Sequence, residues 1–158
     1  MYAASATAEL MQLIETRLRE RYRNVRKDIL IVPLRTDEDV VHLRKHVRER
    51  ALAIKLSLVD QTKLVTAASE LARNTIKYGG GGEVQLEALD DGMREGVALL
   101  FIDGGPGIAD LDLALTDGYT SGGGLGLGLS GSKRLVDEFE IDTRVGEGMA
   151  VSVAKWKR

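Results

Sequence analysis

Residues 58–77 read LVDQTKLVTAASELARNTIK, and Tyr78 and the four glycines 79–82 follow at once. Apolar residues recur in this stretch every three or four positions, which predicts an amphipathic helix that ends at the glycines. Glu70 and Asn74 lie on the polar face, four residues apart, so their side chains are neighbours that project the same way. Most polar helix faces are simply exposed to solvent, and this pair alone does not identify a site.

The glycines of the chain are concentrated in its second half. None of the 18 precedes Gly79, and 16 of them fall between Gly79 and Gly131. Such clustering is typical either of a loop-rich β half or of a loop whose backbone N–H groups converge on a phosphate. The clustering by itself leaves both interpretations open.

The second half of the chain otherwise shows a period of two. Residues 83–89 alternate between apolar and polar and predict a strand, and the continuous apolar run 97–102 predicts a central strand buried on both faces. Residues 129–137 predict a helix. Residues 139–145 and 149–156 predict two strands joined by a turn at Gly146-Glu147-Gly148.

The first half of the chain predicts two helices and one strand before residue 58. Residues 8–27 predict a helix because Met11, Ile14, Leu18, Tyr22 and Val25 recur at helical spacing. Residues 29–35 predict a strand, in which Pro33 indicates an edge position. A helix is predicted from about residue 39 to residue 54, with Thr36 and Asp37 as candidate caps. About five strands and four helices predict an α+β fold in layers.

Two glycine motifs lie between the predicted central strand and the helix predicted at residues 129–137. Asp103-Gly104-Gly105-Pro106-Gly107 comes directly after the strand, where ligands often bind and where an aspartate could accept a hydrogen bond from a ligand amine. A tight turn that begins with aspartate would explain the residue equally well. Three glycines in four positions exceed the needs of one turn.

The second motif, GGGLGLG at residues 122–128, leads into a predicted helix, whose N-terminus attracts phosphate. Residues 126–131 match G-x-G-x-x-G, but no strand precedes them, so a dinucleotide-binding fingerprint is excluded by context. The P-loop is excluded because Ser132 and then Lys133 follow Gly131.

Composition excludes several classes of function. The chain has no cysteine and two histidines, His42 and His46, which excludes thiolate chemistry and nearly excludes a histidine metal site or triad. A net charge of −2 and seven aromatic residues argue against nucleic-acid binding. The apolar run 97–102 is too short for a membrane span, and the charged N-terminus is no signal peptide. We therefore expect a cytoplasmic protein of 158 residues with no membrane or nucleic-acid partner.

In combination, the three motifs resemble those of the GHKL superfamily of ATPases and kinases, which includes gyrase, Hsp90, histidine kinases and MutL. Residues 70–74 are similar to its N box, Asp103-x-Gly105-x-Gly107 to its G1 box, and residues 122–128 to its G2 box and lid. Residues 69–74, 124–129 and 133–139 are most similar to the RsbT-type switch kinases. These are small serine/threonine kinases of bacterial stress signalling that phosphorylate STAS-domain proteins.

The resemblance covers roughly residues 29–158 and implies the Bergerat fold, a two-layer α/β sandwich with a mixed sheet of about five strands and helices on one face. It implies a kinase domain at residues 28–158. Residues 1–27, which precede that domain, are predicted from their own pattern to be an amphipathic helix extension. ATP and Mg²⁺ are the implied cofactors. A STAS-domain protein is the implied substrate, and a PP2C-type phosphatase or its regulatory domain is a further candidate partner.

The resemblance also implies residue roles. Glu70 would be the general base, Asn74 an oxygen ligand of Mg²⁺, and Asp103 the acceptor of the adenine amino group. The remaining nucleotide-binding positions would be Gly105, Gly107, Ile108, Gly122, Gly123, Gly124, Gly126 and Gly128.

Two features depart from the family pattern. Met149 stands where relatives often carry a threonine near the adenine, and the helix at residues 8–27 has no counterpart in the minimal kinase. Its apolar stripe could dock on its own domain, on a second copy or on a partner, of which the first is the default. A binding switch that sequesters a partner like an anti-sigma factor, or activates a phosphatase, without phosphoryl transfer is the alternative function.

Overall fold

The computed structural model describes Gln12, residues 26–116 and residues 128–158. Its elements in chain order are β1 (Arg26–Leu34), α1 (Asp37–Ala53), α2 (Leu58–Lys77), β2 (Gly82–Asp90), β3 (Glu95–Asp103), α3 (Leu111–Ala114), α4 (Gly128–Arg134), β4 (Glu138–Arg144) and β5 (Gly148–Trp156). The α2 bounds agree with the sequence prediction, and the predicted strands are found with shifts of one to three residues at their ends. The short helix α3 was not predicted.

The predicted helix at residues 8–27 lies outside the described residues except at three positions. Gln12 is helical, in agreement with the prediction. Arg26 and Lys27 are instead the first residues of β1, so the prediction is wrong there. They pair with Leu89 and Ala88 of β2, and this backbone pairing extends the strand beyond the limit that the side-chain pattern indicated.

The five strands form one sheet in the order β1-β2-β3-β5-β4. All four pairings are antiparallel, which corrects the expectation of a mixed sheet. Strands β3 and β4 run in the same direction, because each is antiparallel to β5. However, the β4–β5 hairpin places β5 between them, so β4 and β3 never pair directly. As predicted, β3 is the central strand and Pro33 lies on edge strand β1, a position where sheets tolerate proline.

The main hydrophobic core lies between one face of the sheet and the helices, which confirms the two-layer α+β fold. Alternate residues of β2, β3 and β5 contribute to this core, and α1, α2 and α4 cover it. Its members include Leu43, Val47, Leu64, Leu71, Leu86, Leu99, Phe101, Leu129 and Val153.

The two long helices begin at side-chain caps. Thr36 and Asp39 form a capping box, in which Thr36 Oγ1 accepts from the Asp39 N–H and the Asp39 carboxylate accepts from Arg35 and Thr36 N–H. The Arg35 bond is the main reason that the pKa of Asp39 lies below its ordinary value. At α2, the Ser57 hydroxyl accepts from the Asp60 N–H.

Helix α4 ends three residues earlier than the sequence predicts. The Asp137 N–H donates to the Ala154 carbonyl at 2.9 Å, and its carboxylate accepts from the Trp156 N–H at 2.7 Å. Because these bonds turn the backbone onto β5, the helix cannot continue through Asp137.

A buried lysine joins the start of α2, the end of α4 and strand β5. Lys155 is only 4% exposed, and its ammonium lies 3.5 Å from Asp60, 3.6 Å from Asp137 and 3.2 Å from the Leu135 carbonyl. Burial pushes the pKa of Asp137 upward, but the Trp156 N–H, Arg158 and Lys155 outweigh it and lower that pKa overall. The cluster ties both helices to the sheet.

We expect Lys155→Met to destabilise the fold, because it leaves Asp60 and Asp137 without their shared buried cation. The loss in the free energy of unfolding should be about 2–4 kcal/mol, near the range for removing one partner of a buried ion pair. Urea unfolding followed by circular dichroism measures it. The exposed Lys157→Met is the matched control and should change stability by less than about 0.5 kcal/mol; equal losses would contradict a special role for Lys155.

Candidate functional site

The polar face of α2 is partly buried near its C-terminal end. The Glu70 side chain is 16% exposed, and its Oε1 lies 3.3 Å from Nη1 of the more exposed Arg73. Asn74 is also half-buried, one turn further along the same face. These two residues therefore do not form an ordinary solvated surface, unlike the exposed Lys63 and Lys77. The Glu70–Arg73 ion pair was not predicted from the sequence, although the three-residue spacing permits it.

In the last turn of α2, the Asn74 backbone carbonyl accepts from the Tyr78 N–H at 2.9 Å and the Gly79 N–H at 3.3 Å. The Asn74 side-chain amide makes no hydrogen bond to another residue of the described ranges. The side-chain amide oxygen of Asn74 is thus available as a ligand near the end of the helix. Among the described residues, no group of three or more histidines or carboxylates could hold a metal ion. Mg²⁺ commonly takes most of its oxygen ligands from water and bound phosphates, so a single protein oxygen can suffice.

Asp103 is the last residue of β3 and is 3% exposed. Burial raises its pKa from the ordinary 3.8 to about 6, against the opposing effect of the Gly105 N–H, which donates to Oδ1 at 2.9 Å. Its other carboxylate oxygen accepts no hydrogen bond from the described residues. A buried carboxylate with spare acceptor capacity fits a ligand N–H donor.

Two glycines allow the end of α2 to pack against this aspartate. A Cβ atom on Gly79 would overlap Asp103 Cγ, and one on Gly105 would lie 2.7 Å from Gly79 Cα. Both positions are therefore closed to any side chain by contacts within the protein itself. As a result, Asn74 and Asp103 lie on either side of the close contact between Gly79 and Gly105, called here the glycine junction.

The loop after Asp103 is tied to the β4–β5 hairpin. The Ile108 N–H donates to Thr143 Oγ1 at 2.8 Å, and the Gly146 N–H donates to the Pro106 carbonyl at 2.7 Å. Gly107 has a φ of +71° and no room for a Cβ against the Arg144 carbonyl, so only glycine fits there. The candidate residues Gly105, Gly107 and Ile108 are thus held as one rigid turn.

Thr143 is a site residue that sequence reasoning missed. It lies opposite Met149 on β5, and Met149 in turn lies opposite Asp103 on β3. The Thr143 hydroxyl accepts from Ile108 and donates to the Gly148 carbonyl at 3.3 Å. A hydroxyl is therefore present beside Met149, on the neighbouring strand. The alternation of β4 was the available signal, since it places Thr143 on the same face as Phe139 and Ile141.

The glycine loop is described only at its end. Gly122, Gly123, Gly124 and Gly126 lie outside the described residues. Gly128 begins α4 with a φ of +70°, and α4 packs against α2. The structure therefore brings Glu70, Asn74, Asp103, Gly105, Gly107 and Ile108 to one end of α2 and β3, and places the loop's last glycine in a helix that contacts α2.

The fold and this set of motifs define an ATPase-type nucleotide-binding module. A model of the family of histidine kinase-, DNA gyrase B- and HSP90-like ATPases matches residues 59–157, and the chain belongs to that family. Within it the chain is RsbT-like. It is 40% identical over 127 residues to the serine/threonine-protein kinase RsbT of Bacillus subtilis (strain 168), covering 80% of this chain and 96% of that relative.

A solved structure supports the fold. The chain matches the structure of the RsbU and RsbW domains of Rv1364c from Mycobacterium tuberculosis with a TM-score of 0.58 and 21% sequence identity. The match covers 84% of this chain and 33% of the other, so this chain spans about a third of that protein's length. At this identity the likeness is one of fold.

No helix in the described ranges is long and apolar enough to cross a membrane.

We expect Asp103 to make stability depend on pH between about 4 and 6. Because its folded-state pKa is raised, the folded protein binds more protons than the unfolded chain in this window, and this contribution to stability falls as the pH rises. Relative to Asp103→Asn, wild type should lose on the order of 1–3 kcal/mol between pH 4 and pH 7. Urea unfolding at both pH values measures the difference; a constant difference would show that Asp103 titrates as it does in the unfolded chain.

Proposed function

We propose that this protein is an ATP- and Mg²⁺-dependent serine/threonine protein kinase that phosphorylates a STAS-domain partner in bacterial stress signalling. The observation that carries the proposal is the half-buried pair Glu70 and Asn74, which lies on α2 beside the buried Asp103 turn. The 40% identity to a serine/threonine kinase, over 96% of that kinase's length, supports it.

Asp103 would bind the adenine amino group. Its free carboxylate oxygen can accept from an amine, and its closed surroundings exclude water from that bond. The rigid turn of Gly105, Gly107 and Ile108 would keep the carboxylate in place, and Met149 would offer apolar surface beside the base. Because Thr143 already accepts from Ile108, its hydroxyl would act by holding this turn rather than by direct readout of the base.

Asn74 would supply one oxygen ligand to Mg²⁺, and the nucleotide phosphates and water would supply the others. When bound, the metal would neutralise phosphate charge during transfer. Glycines 122, 123, 124, 126 and 128 would cover the phosphates, with α4 following the loop.

Glu70 would act as the general base. It would take the proton of the partner's serine or threonine hydroxyl as that oxygen bonds to the transferred phosphorus and the bond to ADP breaks. Arg73, 3.3 Å from Glu70 Oε1, would orient the carboxylate. Each oxygen of a carboxylate can accept more than one hydrogen bond, so Glu70 could accept from the hydroxyl while it is paired with Arg73.

The proposed setting is the cytoplasm. A PP2C-type phosphatase or its regulatory domain is the proposed second partner, and neither nucleic acid nor membrane is a proposed ligand. A kinase that alternates between a substrate and a phosphatase regulator would link phosphoryl transfer to partner exchange.

We expect adenine-nucleotide affinity to weaken on acidification through about pH 6, because protonated Asp103 loses acceptor strength toward the amine. Isothermal titration calorimetry with ATP and Mg²⁺ at pH 5 and pH 7.5 measures the change. Asp103→Asn should bind weakly at both pH values and show little pH dependence. Unchanged affinity in this variant would place the adenine elsewhere.

Glu70 and Asn74 should fail differently in a transfer assay with radiolabelled ATP and a STAS-domain substrate. Glu70→Gln removes the base but keeps the shape, so ATP binding should persist while transfer falls roughly 10²–10⁴-fold. Asn74→Ala removes the metal ligand, so Mg²⁺-dependent binding and transfer should fall together. The control is Glu95→Gln, the same change at an exposed position at the start of β3, which should leave both unchanged.

Transfer at the wild-type rate by Glu70→Gln would contradict the base assignment. If wild type binds ATP and the STAS-domain protein but never transfers phosphate, the kinase proposal fails and the binding switch replaces it.

A further inference from the structure

Helix α1 exposes apolar side chains in addition to those that it buries in the core. Val41 is 61% and Leu52 56% exposed. They lie about three helical turns apart, so they point in nearly the same direction from the helix axis. Leu58 and Val59 at the start of α2, just beyond the α1–α2 turn, are exposed as well. Single exposed apolar residues are ordinary, but Val41 and Leu52 lie at the two ends of a group of cations.

Three exposed basic residues of α1, Arg44, Lys45 and Arg48, lie between these apolar ends. Arg48 is four residues from Arg44 and three from Lys45, spacings that make like charges neighbours on a helix surface. Within the described ranges, none of the three has an ion-pair or hydrogen-bond partner for its side chain. Glu49, the acid nearest to them in sequence, lies 3.7 Å from His46. The set is called here the α1 stripe: Val41, Arg44, Lys45, Arg48 and Leu52.

The α1 stripe is electrostatically incomplete in the isolated chain. Like charges three or four residues apart destabilise a helix, and carboxylates from another molecule would relieve that repulsion. The chain as a whole has a net charge of −2, so the positive stripe is a local feature and not the result of a basic composition. The complementary surface is acidic at its centre, with apolar groups about 16 Å apart at its ends to contact Val41 and Leu52.

The α1 stripe also lies near the proposed general base. Helices α1 and α2 pack against each other and are joined by only four residues, 54–57, so they run antiparallel. Val41 precedes Ala53, the last residue of α1, by as many positions as Glu70 follows Leu58, the first residue of α2. Val41 and Glu70 are therefore at about the same level on neighbouring helices.

A partner of domain size can contact both places. Packed helix axes lie about 8–10 Å apart, and a domain of about 100 residues has a radius of gyration of about 13 Å. One protein could thus rest on the α1 stripe while a serine or threonine of the same protein reaches Glu70.

We propose that the protein substrate docks on the α1 stripe through an acidic surface that carries apolar residues at both ends. The inference rests on the proposed kinase function, because it assigns the surface that holds the protein whose hydroxyl is phosphorylated. It adds a binding surface outside the nucleotide site, on a helix that carries none of the proposed catalytic or nucleotide-binding residues.

The test is the steady-state transfer assay with the STAS-domain substrate. Arg48→Glu, at the centre of the stripe, should raise the KM for that substrate about tenfold. Its kcat and its KM for ATP should stay at the wild-type values, because the change removes binding that is equal in the ground state and the transition state. The matched control is Lys157→Glu, the same charge reversal at an exposed position after β5, which should change the substrate KM by less than about twofold.

A second variant covers the case in which charge reversal disturbs α1. Urea unfolding shows whether Arg48→Glu is folded as well as wild type. Val41→Thr keeps the shape of an exposed side chain and removes apolar contact, so it should raise the substrate KM about fivefold. A wild-type KM in both variants would overturn this inference alone. If wild type neither binds nor phosphorylates the STAS-domain protein, the proposed function fails and this inference fails with it.

Other occupants of the stripe give different results, each of which would overturn the proposal. If a second copy covers the stripe, sedimentation velocity should show a wild-type dimer that Arg48→Glu dissociates. If another segment of the same chain covers it, Arg48→Glu should lower the substrate KM instead of raising it. If an anionic membrane binds there, vesicles of phosphatidylserine and phosphatidylcholine should sediment wild type but not Arg48→Glu, while the substrate KM stays unchanged.

Discussion

The contact of Gly79 with Asp103 and Gly105 is the constraint on which the site depends. It brings the end of α2 to the end of β3 at a distance that no side chain at either glycine would permit. Gly148 closes the same junction from β5, since its Cβ would overlap the Asp103 carbonyl. The aspartate is therefore enclosed by backbone, and its burial, its raised pKa and its fixed direction follow from this packing rather than from any ligand.

This enclosure changes the meaning of the glycine-rich sequence. Glycine loops are usually explained by the approach of a phosphate to the backbone, which is the role proposed for residues 122–128. Gly79, Gly105 and Gly148 instead serve the approach of the protein to itself. Gly107 adds a backbone conformation that L side chains rarely adopt. At least part of the glycine enrichment of the second half therefore has a structural cause, which a count of glycines could not distinguish from the proposed phosphate binding.

Much of the fold could be predicted from the sequence because local signals agreed there. Helix α2 has a serine cap, a helical apolar period and glycines at its end, and its bounds were predicted to the residue. The antiparallel order was not predictable, because the position of β5 between β3 and β4 depends on long-range pairing. Glu70, Asn74 and Asp103 were singled out as candidates by their motifs and by the family resemblance, and their roles stay predictions. Arg73 and Thr143 were missed because their roles arise from contacts that no local pattern encodes.

Asp103 and Asp137 show that the surroundings of a carboxylate can shift its pKa in opposite directions within one small domain. On the helix side, α1, α2 and α4 supply a continuous apolar core. Only at its margin does the chain bury Asp103, which has one N–H donor and no cation beside it among the described residues. By contrast, Asp137, which lies just after the C-terminal end of α4, is paired with Lys155 and Arg158, and its pKa is lowered. The ionised form of Asp137, which helps to hold the fold together, is therefore stabilised. The ionised form of Asp103 is destabilised, and a hydrogen-bond donor from a ligand would offset that cost. The direction of the pKa shift thus distinguishes the structural carboxylate of Asp137 from the carboxylate of Asp103, for which a binding role is proposed.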